Sequence, residues 1–343
     1  LATTTLNAQS YSDTGLSPST AYAYNVAAYD AAGNISAQSN QASATTQAVA
    51  SPPPSSVTTI FQSDSTKGFN DVELSGSDFI VTESNTSNTN NRLLRISPSG
   101  TLSVIATYPG QLRGITLSGS DFIVTGYNSS QGNVLLKITS DGATSTIASN
   151  ISSGGALTDV AILGSDYIVV DTASNRLLRV TSSGSISTFA TSLYGAKGIK
   201  VLNSDIIVSG TDGGGQCLGT LYKVSSSGTV SVIAAETKLY ICSRYLSVAL
   251  DGSNFVVDSD TGYKSITSAG VISLIANPSL DGQRIGALKI GSDIVAALSF
   301  PARLLRITPS TSSLDPRAKN IAAISLMINS LNEILKELSK LLK

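Results

Sequence analysis

The 343-residue chain contains no histidine. That absence excludes Ser-His-Asp and Cys-His nucleophile systems, histidine general bases and every histidine-ligated metal. Any chemistry that survives must use carboxylates, lysine, tyrosine or a hard cation. Tryptophan is also absent, and cysteine occurs twice, at Cys217 and Cys242. Two thiols are too few for a disulfide scaffold, and their spacing fits no zinc motif. Both lie in the long fourth repeat described below, which favours one disulfide there; two free thiols in a β core are the alternative. Charged residues make up only 13% of the chain and the net charge is −1, so it lacks the basic footprint that nucleic acid requires. No stretch approaches the ~18 apolar residues of a membrane-spanning helix.

Small polar and β-branched residues are plentiful, the profile of many short strands joined by tight turns. From Val57 onward the pattern repeats. One unit runs Gly114-Ile115-Thr116-Leu117, then Gly119-Ser120-Asp121, then Phe122-Ile123-Val124, then Val134-Leu135-Leu136-Lys137-Ile138, then Thr144-Ser145-Thr146-Ile147-Ala148. That is four strands with turns between them. The turn residue before the second strand recurs at Asp78, Asp121, Asp166, Asp205, Asn254 and Asp293, at spacings of 43, 45, 39, 49 and 39. A period of ~40–45 with four strands per unit predicts propeller blades. The apolar triplets that follow, such as Ile80-Val81 after Phe79, suit strands buried on both faces. The sixth unit stops after Arg303-Leu304-Leu305-Arg306-Ile307, without a fourth strand, while Val57-Thr58-Thr59-Ile60-Phe61 stands alone before the first. The orphan is predicted to pair with the third strand of the last blade and close a six-bladed ring, strand 57–62 closing a body at 57–310.

Asp171-Thr172-Ala173-Ser174-Asn175-Arg176 resembles the turn of an NHL repeat, and Glu83 to Arg95 is a looser copy. The whole of 57–310 resembles the NHL, SMP-30 and virginiamycin B lyase-like six-bladed propellers. Lyases of that group, as the resemblance implies, depend on histidine and a metal, so that activity does not transfer. Lactonase relatives, as the resemblance implies, hold a metal with Glu, Asn and Asp on inner strands, a role for which Asp71 or Glu83 can be offered, although the surrounding motif does not match.

Residues 1–47 carry Leu16-Ser17-Pro18-Ser19-Thr20-Ala21-Tyr22 followed by alternating Tyr24, Val26 and Ala28. This resembles the second half of a fibronectin type III domain, with Tyr22 at the tyrosine corner. The first strands of that sandwich are missing, so the sequence reads as a fragment of a longer protein, or as a sandwich completed by another chain. Such domains serve as spacers in secreted bacterial proteins. Residues 48–56, with Pro52-Pro53-Pro54, form a stiff linker.

Candidate function lies where loops between second and third strands meet the loops between blades. Arg113, Lys197, Arg244 and Arg284 precede innermost strands, as do Asp71 and Asp159; Glu83, Tyr127, Asp171, Asp212, Asp258 and Asp260 follow second strands. The expected arrangement is a ring of cations inside a looser set of carboxylates, with Arg113, Lys197, Arg244, Arg284, Glu83 and Asp171 as ligand contacts. Such cations suit an anionic ligand, for instance a carboxylated sugar. Asp258-Ser259-Asp260-Thr261-Gly262 echoes the start of a Ca2+ loop, but the twelfth position is Ala269, where a bidentate acid is required.

After Ser313 the composition changes. Asp315 and Pro316 open a helix. Ile321, Ile324, Ile328, Leu331, Leu335, Leu338 and Leu342 follow at spacings of three and four, a coiled-coil seam on an amphipathic helix within 311–343. So short a helix needs a partner. Homo-oligomerisation through 316–343 is preferred to docking on its own propeller or lying on a membrane surface; a fused tail is a further reading.

The chain is thus expected to be all-β: a six-bladed propeller, with a partial fibronectin-type sandwich before it and one C-terminal α-helix after it. The expected role is a secreted or cell-surface recognition or scaffold protein with a glycan or protein partner and no catalytic residues. A metal-dependent carboxylate enzyme acting on a sugar-type substrate is the alternative.

Overall fold

A computed structural model describes residues 13, 16, 20–28, 33–46 and 55–309, apart from 65, 86, 88, 154–155, 214–217, 237–243, 279, 281–282 and 300. Cys217, Cys242 and the C-terminal seam from Ile321 to Leu342 lie outside the described residues. The chain divides into two units, one of which is 53–310.

In the N-terminal segment, Ala21–Tyr24 pairs antiparallel with Ala42–Thr45, Tyr22 standing opposite Ala44. The pairing continues as Ser39 N–H donates to the Val26 carbonyl (2.7 Å) and Ser36 N–H to that of Ala28 (2.8 Å). This hairpin lies within the segment read as fibronectin-like; no further strand of a sandwich is present among the described residues.

Residues 55–309 form six four-stranded antiparallel sheets. Blades 1 to 5 each use four consecutive strands, beginning at Lys67–Ser75, Gln111–Ser118, Leu157–Leu163, Ile199–Leu202 and Tyr245–Asp251. Blade 6 begins at Gln283–Ile290 and borrows its fourth strand from the start of the domain. There Ser55–Gln62 pairs with Arg303–Pro309, with Phe61 opposite Leu304 and Thr59 opposite Leu305. The expected closure is what the structure has. The first strands touch one another in cyclic order around the ring. Among the described residues the sole helical element is one 3-10 turn, Thr172–Ser174.

The core is radial rather than central. Six apolar clusters lie between neighbouring blades, one per interface. Second strands such as Asp78–Asn85 are buried through their interior because they face a neighbour on both sides. At the seam, Phe61 of the closing strand stacks on Phe69 of blade 1, ring centroids 6.1 Å apart. The closing strand therefore takes part in the same kind of packing as every other fourth strand.

The repeated turn acid has a partner. Asp78, Asp121, Asp166, Asp205 and Asp293 begin their second strands and pair with Arg95, Lys137, Arg179, Lys223 and Arg306 of the third strands, at 3.3, 2.9, 3.4, 2.5 and 3.7 Å. These pairs are solvent-accessible, so each contributes about 0–1 kcal/mol. Their effect is to fix the hairpin rather than to drive folding.

A second repeat is a glycine in a left-handed backbone conformation that other residues rarely adopt. Gly100 (φ +86°) and Gly142 (φ +93°) adopt left-handed conformations, and a Cβ there would fall 2.4 Å from the Ile60 carbonyl oxygen and 2.1 Å from that of Ile105. Each turn thus rests on the fourth strand of the preceding blade, and for Gly100 that strand is the closing one. Gly142→Ala is expected to lower stability by about 1–3 kcal/mol in denaturant titration. Gly100→Ala, the same change at the seam, should cost as much; a far smaller loss would mean that the ring is held less firmly there.

Candidate functional site

Antiparallel bulges interrupt the first strand in blades 1, 2, 3, 5 and 6. Directly before the buried residues Val72, Ile115, Val160, Ile199, Val248 and Ala287 stand Asp71, Gly114, Asp159, Gly198, Ser247 and Gly286. Aspartate or serine thus alternates with glycine around the ring. The alternation is steric. A Cβ on Gly114 would lie 2.3 Å from Asp159 Cα, one on Gly198 2.9 Å from Ser247 Cα, and one on Gly286 3.1 Å from Asp71 Oδ1. Each glycine makes room for the polar residue of the following blade.

The aspartates then reach onward. Asp71 accepts from its neighbour Val72 N–H (2.8 Å) and from Ile115 N–H of blade 2 (3.0 Å). Asp159 accepts from Val160 N–H (2.7 Å) and from Ile199 N–H of blade 4 (2.8 Å). On the glycine blades the amide is met from behind: Gly114 N–H donates to Thr125 Oγ1 and Gly198 N–H to Ser209 Oγ, both at 2.9 Å. Side chains thus complete the hydrogen bonding that the ring's inner backbone requires.

One step along the same strands, Lys200 of blade 4 makes an ion pair with Glu73 of blade 1. Blades 1 and 4 are opposite in a ring of six, so the pair spans the axis. Asp71 and Asp159 complete the cluster, leaving three carboxylates around one ammonium. Burial, then the Asp71 charge, pushes the Asp159 carboxyl well above its usual range. Burial pushes Asp71 up to about 6, with Lys200 opposing the shift and Glu73 adding to it. For Lys200, loss of water disfavours the charge, but Glu73, Asp159 and Asp71 outweigh it and hold the pKa above that of an ordinary lysine.

This cluster was not visible to a reading that treated Asp71 and Asp159 as members of a surface ring. A metal does not fit it. Both aspartates are engaged by backbone amides and the lysine ammonium stands among them; nor do the described residues hold any group of three acids arranged for a metal ion.

The other singled-out carboxylates are tied down. Glu83 is 1% exposed and pairs with Arg92 at 2.6 Å. Asp171, fully buried, takes bonds from Arg176 Nε and Ser152 Oγ, both at 2.9 Å. Asn175 between them adopts φ 51°, and its Oδ1 accepts from Gly195 N–H (3.0 Å). The stretch that resembles the NHL turn is therefore a clamp on the hairpin and on the loop leading into blade 4. Asp258 is fully buried in its second strand, whereas Asp260 is exposed and bonds Arg244 Nε at 2.9 Å. Of Arg284 the backbone alone is described.

Lys197 and Arg244 line one cavity, and the charge of Arg113 reaches Lys197 as well. Lys197 feels both Arg244 and Arg113: loss of water first, then these two charges, holds its pKa below the ordinary lysine value, although the side chain reaches solvent. Arg113 is likewise lowered by burial, opposed by Tyr127. Arg113 Nη2 bonds Gln111, while its buried Nη1 has no partner among the described residues. Arg244 is held by Asp260, but the Lys197 ammonium has no ion pair among the described residues. Its backbone is fixed from two sides: Lys197 N–H donates to the Ser209 carbonyl (2.9 Å), and Thr158 Oγ1 donates to the Lys197 carbonyl (3.0 Å). Beside it a cavity of about 270 Å³ opens between blades 4 and 5, lined by Gly195, Lys197, Thr211, Asp212, Arg244 and Tyr245 among others.

The architecture and its closed ring define a six-bladed β-propeller matching those of virginiamycin B lyase and gluconolactonase. An inactive variant of virginiamycin B lyase from Staphylococcus aureus, solved with quinupristin, superposes with a TM-score of 0.55 at 16% identity, over 75% of this chain and 100% of that one. A gluconolactonase from Xanthomonas campestris gives 0.57 at 12% identity, over 74% and 89%. The nidogen/laminin complex gives 0.51 at 10%, over 62% and 83%. At such identities the likeness is one of fold alone. No protein-family model and no curated protein sequence matches the chain.

Two predictions follow from the axial cluster. The folded state binds the Asp71 proton more tightly than the unfolded chain, whose value is near 3.8. Stability contributed by this group is therefore full below pH 3.8 and lost as the pH rises through about 6. Thermal unfolding should show stability rising on acidification from neutral pH towards pH 5, and Asp71→Asn should flatten that slope. Lys200→Met leaves buried carboxylates without their cation and should cost about 3–5 kcal/mol at pH 7. The loss should shrink at pH 5, below the value of about 6 for Asp71; an equal loss at both pH values would show that packing, not charge, is what the lysine supplies.

Proposed function

We propose that this propeller is a recognition module, secreted or at a cell surface, that binds an anionic ligand at the mouth of the ring through Lys197, Arg113 and Arg244. The observation that carries the reading is the Lys197 ammonium, which shares a cavity wall with Arg244, feels the charge of Arg113 as well, and has no ion pair among the described residues. Crowding like charges is unfavourable unless an anion relieves it, and a charge-assisted bond to such an anion is about twice as strong as a neutral one. The backbone bonds that fix Lys197 in place favour binding by lowering what must be ordered on association. Extracellular placement rests on the resemblance of residues 1–47 to a fibronectin-type spacer. Assembly through the apolar seam from Ile321 to Leu342 would multiply weak sites into avidity.

The competing reading is a metal-dependent carboxylate enzyme working on a sugar or lactone. It needs free acids that converge, yet Glu83 is clamped by Arg92 and Asp71 by backbone amides. A ligand array probed with the full chain, with and without calcium, separates the two. Retention of anionic ligands that Lys197→Met weakens by about tenfold or more is the expected result. Product release that a chelator or Asp71→Ala abolishes would replace recognition with catalysis.

A further inference from the structure

The geometry points to a sugar acid as the source of the anion: we infer that the mouth of the ring is a subsite for a carboxylated glycan, one sugar ring seated in the cavity beside Lys197. This rests on the anion-recognition reading above and narrows it. Three kinds of chemistry are on offer in and around the cavity. Cations come from Arg113, Lys197 and Arg244. Hydroxyl partners come from Thr211 and Asp212; the latter is held in place because its Oδ1 accepts from Leu218 N–H (2.9 Å), which leaves Oδ2 to accept from a ligand. Aromatic faces come from Tyr194 and Tyr127, which are 44% and 41% exposed.

The tyrosines separate a sugar from a simple anion. Tyr194 immediately precedes Gly195 of the cavity wall, and its carbonyl accepts from Thr211 N–H (2.9 Å). Its ring lies flush on Gly213, where a Cβ would come within 2.7 Å of it, so the ring is seated on backbone that a glycine has cleared. Tyr127 stands close enough to Arg113 to influence its titration. An exposed ring held against backbone gives a flat apolar surface, which the C–H face of a pyranose covers and which phosphate or sulfate does not use. A cavity of about 270 Å³ lies just below the usual range of drug-sized pockets and suits a single ring with its substituents. A carboxylate on that ring meets Lys197, its hydroxyls meet Thr211 and Asp212, and a neighbouring sugar extends over Tyr194.

Calorimetric titration of the full chain with trigalacturonate, its trimethyl ester, neutral galactotriose and inorganic sulfate tests this, with Lys197→Met and Tyr194→Ala as variants. Both substitutions lie at the surface, and unchanged thermal unfolding would show that they fold. The acid should bind at least about tenfold more tightly than the ester or the neutral sugar. Lys197→Met should erase that preference, while Tyr194→Ala should weaken acid binding about threefold to tenfold. Equal affinity for acid and ester would overturn the anion-recognition reading itself. Binding of the acid that Lys197→Met weakens and Tyr194→Ala leaves unchanged would overturn the glycan inference and leave general anion recognition standing. Sulfate bound as tightly as the acid would do the same.

Discussion

Six first strands crowd around one axis, and their inner backbone must be satisfied without a sheet neighbour on that side. The rest of the molecule is arranged about that constraint. An aspartate cannot stand on every blade, because the glycine positions show that there is no room for adjacent side chains at this level. Alternation is the solution, with each aspartate reaching the amide two links of the chain cannot serve, across an interface between blades. Asp71 and Asp159, with Glu73 close by, then require a counter-charge, and Lys200 of blade 4 supplies it. The apolar clusters between blades contribute most of the driving force, while this polar layer fixes which blade sits against which. A buried ion pair is weak evidence for net stability, but removing one partner is costly, so the cluster acts chiefly as a specification of the closed state.

The fold was legible because it is repetitive. The recurrent turn acid, the apolar triplets and the misplaced strand Val57–Phe61 were enough for blade number and closure, since a six-fold repetition suppresses the ambiguity that any one short strand carries. What escaped was the non-repetitive part. Lys200 occurs at its position in blade 4 alone; the equivalent residues are Glu73, Thr116, Ala161, Ala249 and Leu288. Nothing local distinguishes a lysine at the axis from one on a surface strand. A signal did exist in the triplets Asp71-Val72-Glu73, Gly114-Ile115-Thr116, Asp159-Val160-Ala161 and Gly198-Ile199-Lys200. Read in register, they show aspartate and glycine alternating, which only an across-blade contact explains.

The same internal comparison explains why the turn acid recurs. It was read as a turn former, which aspartate is, yet its pairing with the third-strand cation is the finer cause. Blade 5 makes the point: Asn254 replaces the acid, and the third-strand position facing Val256 is Ser265 where the other blades have Arg or Lys. Both charges leave together. In their place, Asn254 Oδ1 accepts from Ser268 N–H at 3.2 Å, so the hairpin is still fixed locally, by a neutral bond.

That sorting of charge bears on function. An acid at a loop end invites a catalytic or metal-binding reading, and the sequence offers many. The structure assigns the ones singled out here to structural tasks: Glu83 and Asp171 to arginine clamps, Asp71 and Asp159 to backbone amides, Asp260 to Arg244. A carboxylate already held by a cation has little capacity left for acid–base work, because the partner stabilises its charged form. The cations are not symmetric with this. Five third-strand arginines and lysines pair with the turn acids and three more with other carboxylates, whereas Lys197 stands outside these pairs, on backbone braced from blade 3 and from its own second strand. Among the described cations that make no ion pair, Lys197 is the one that lines the cavity at the mouth of the ring.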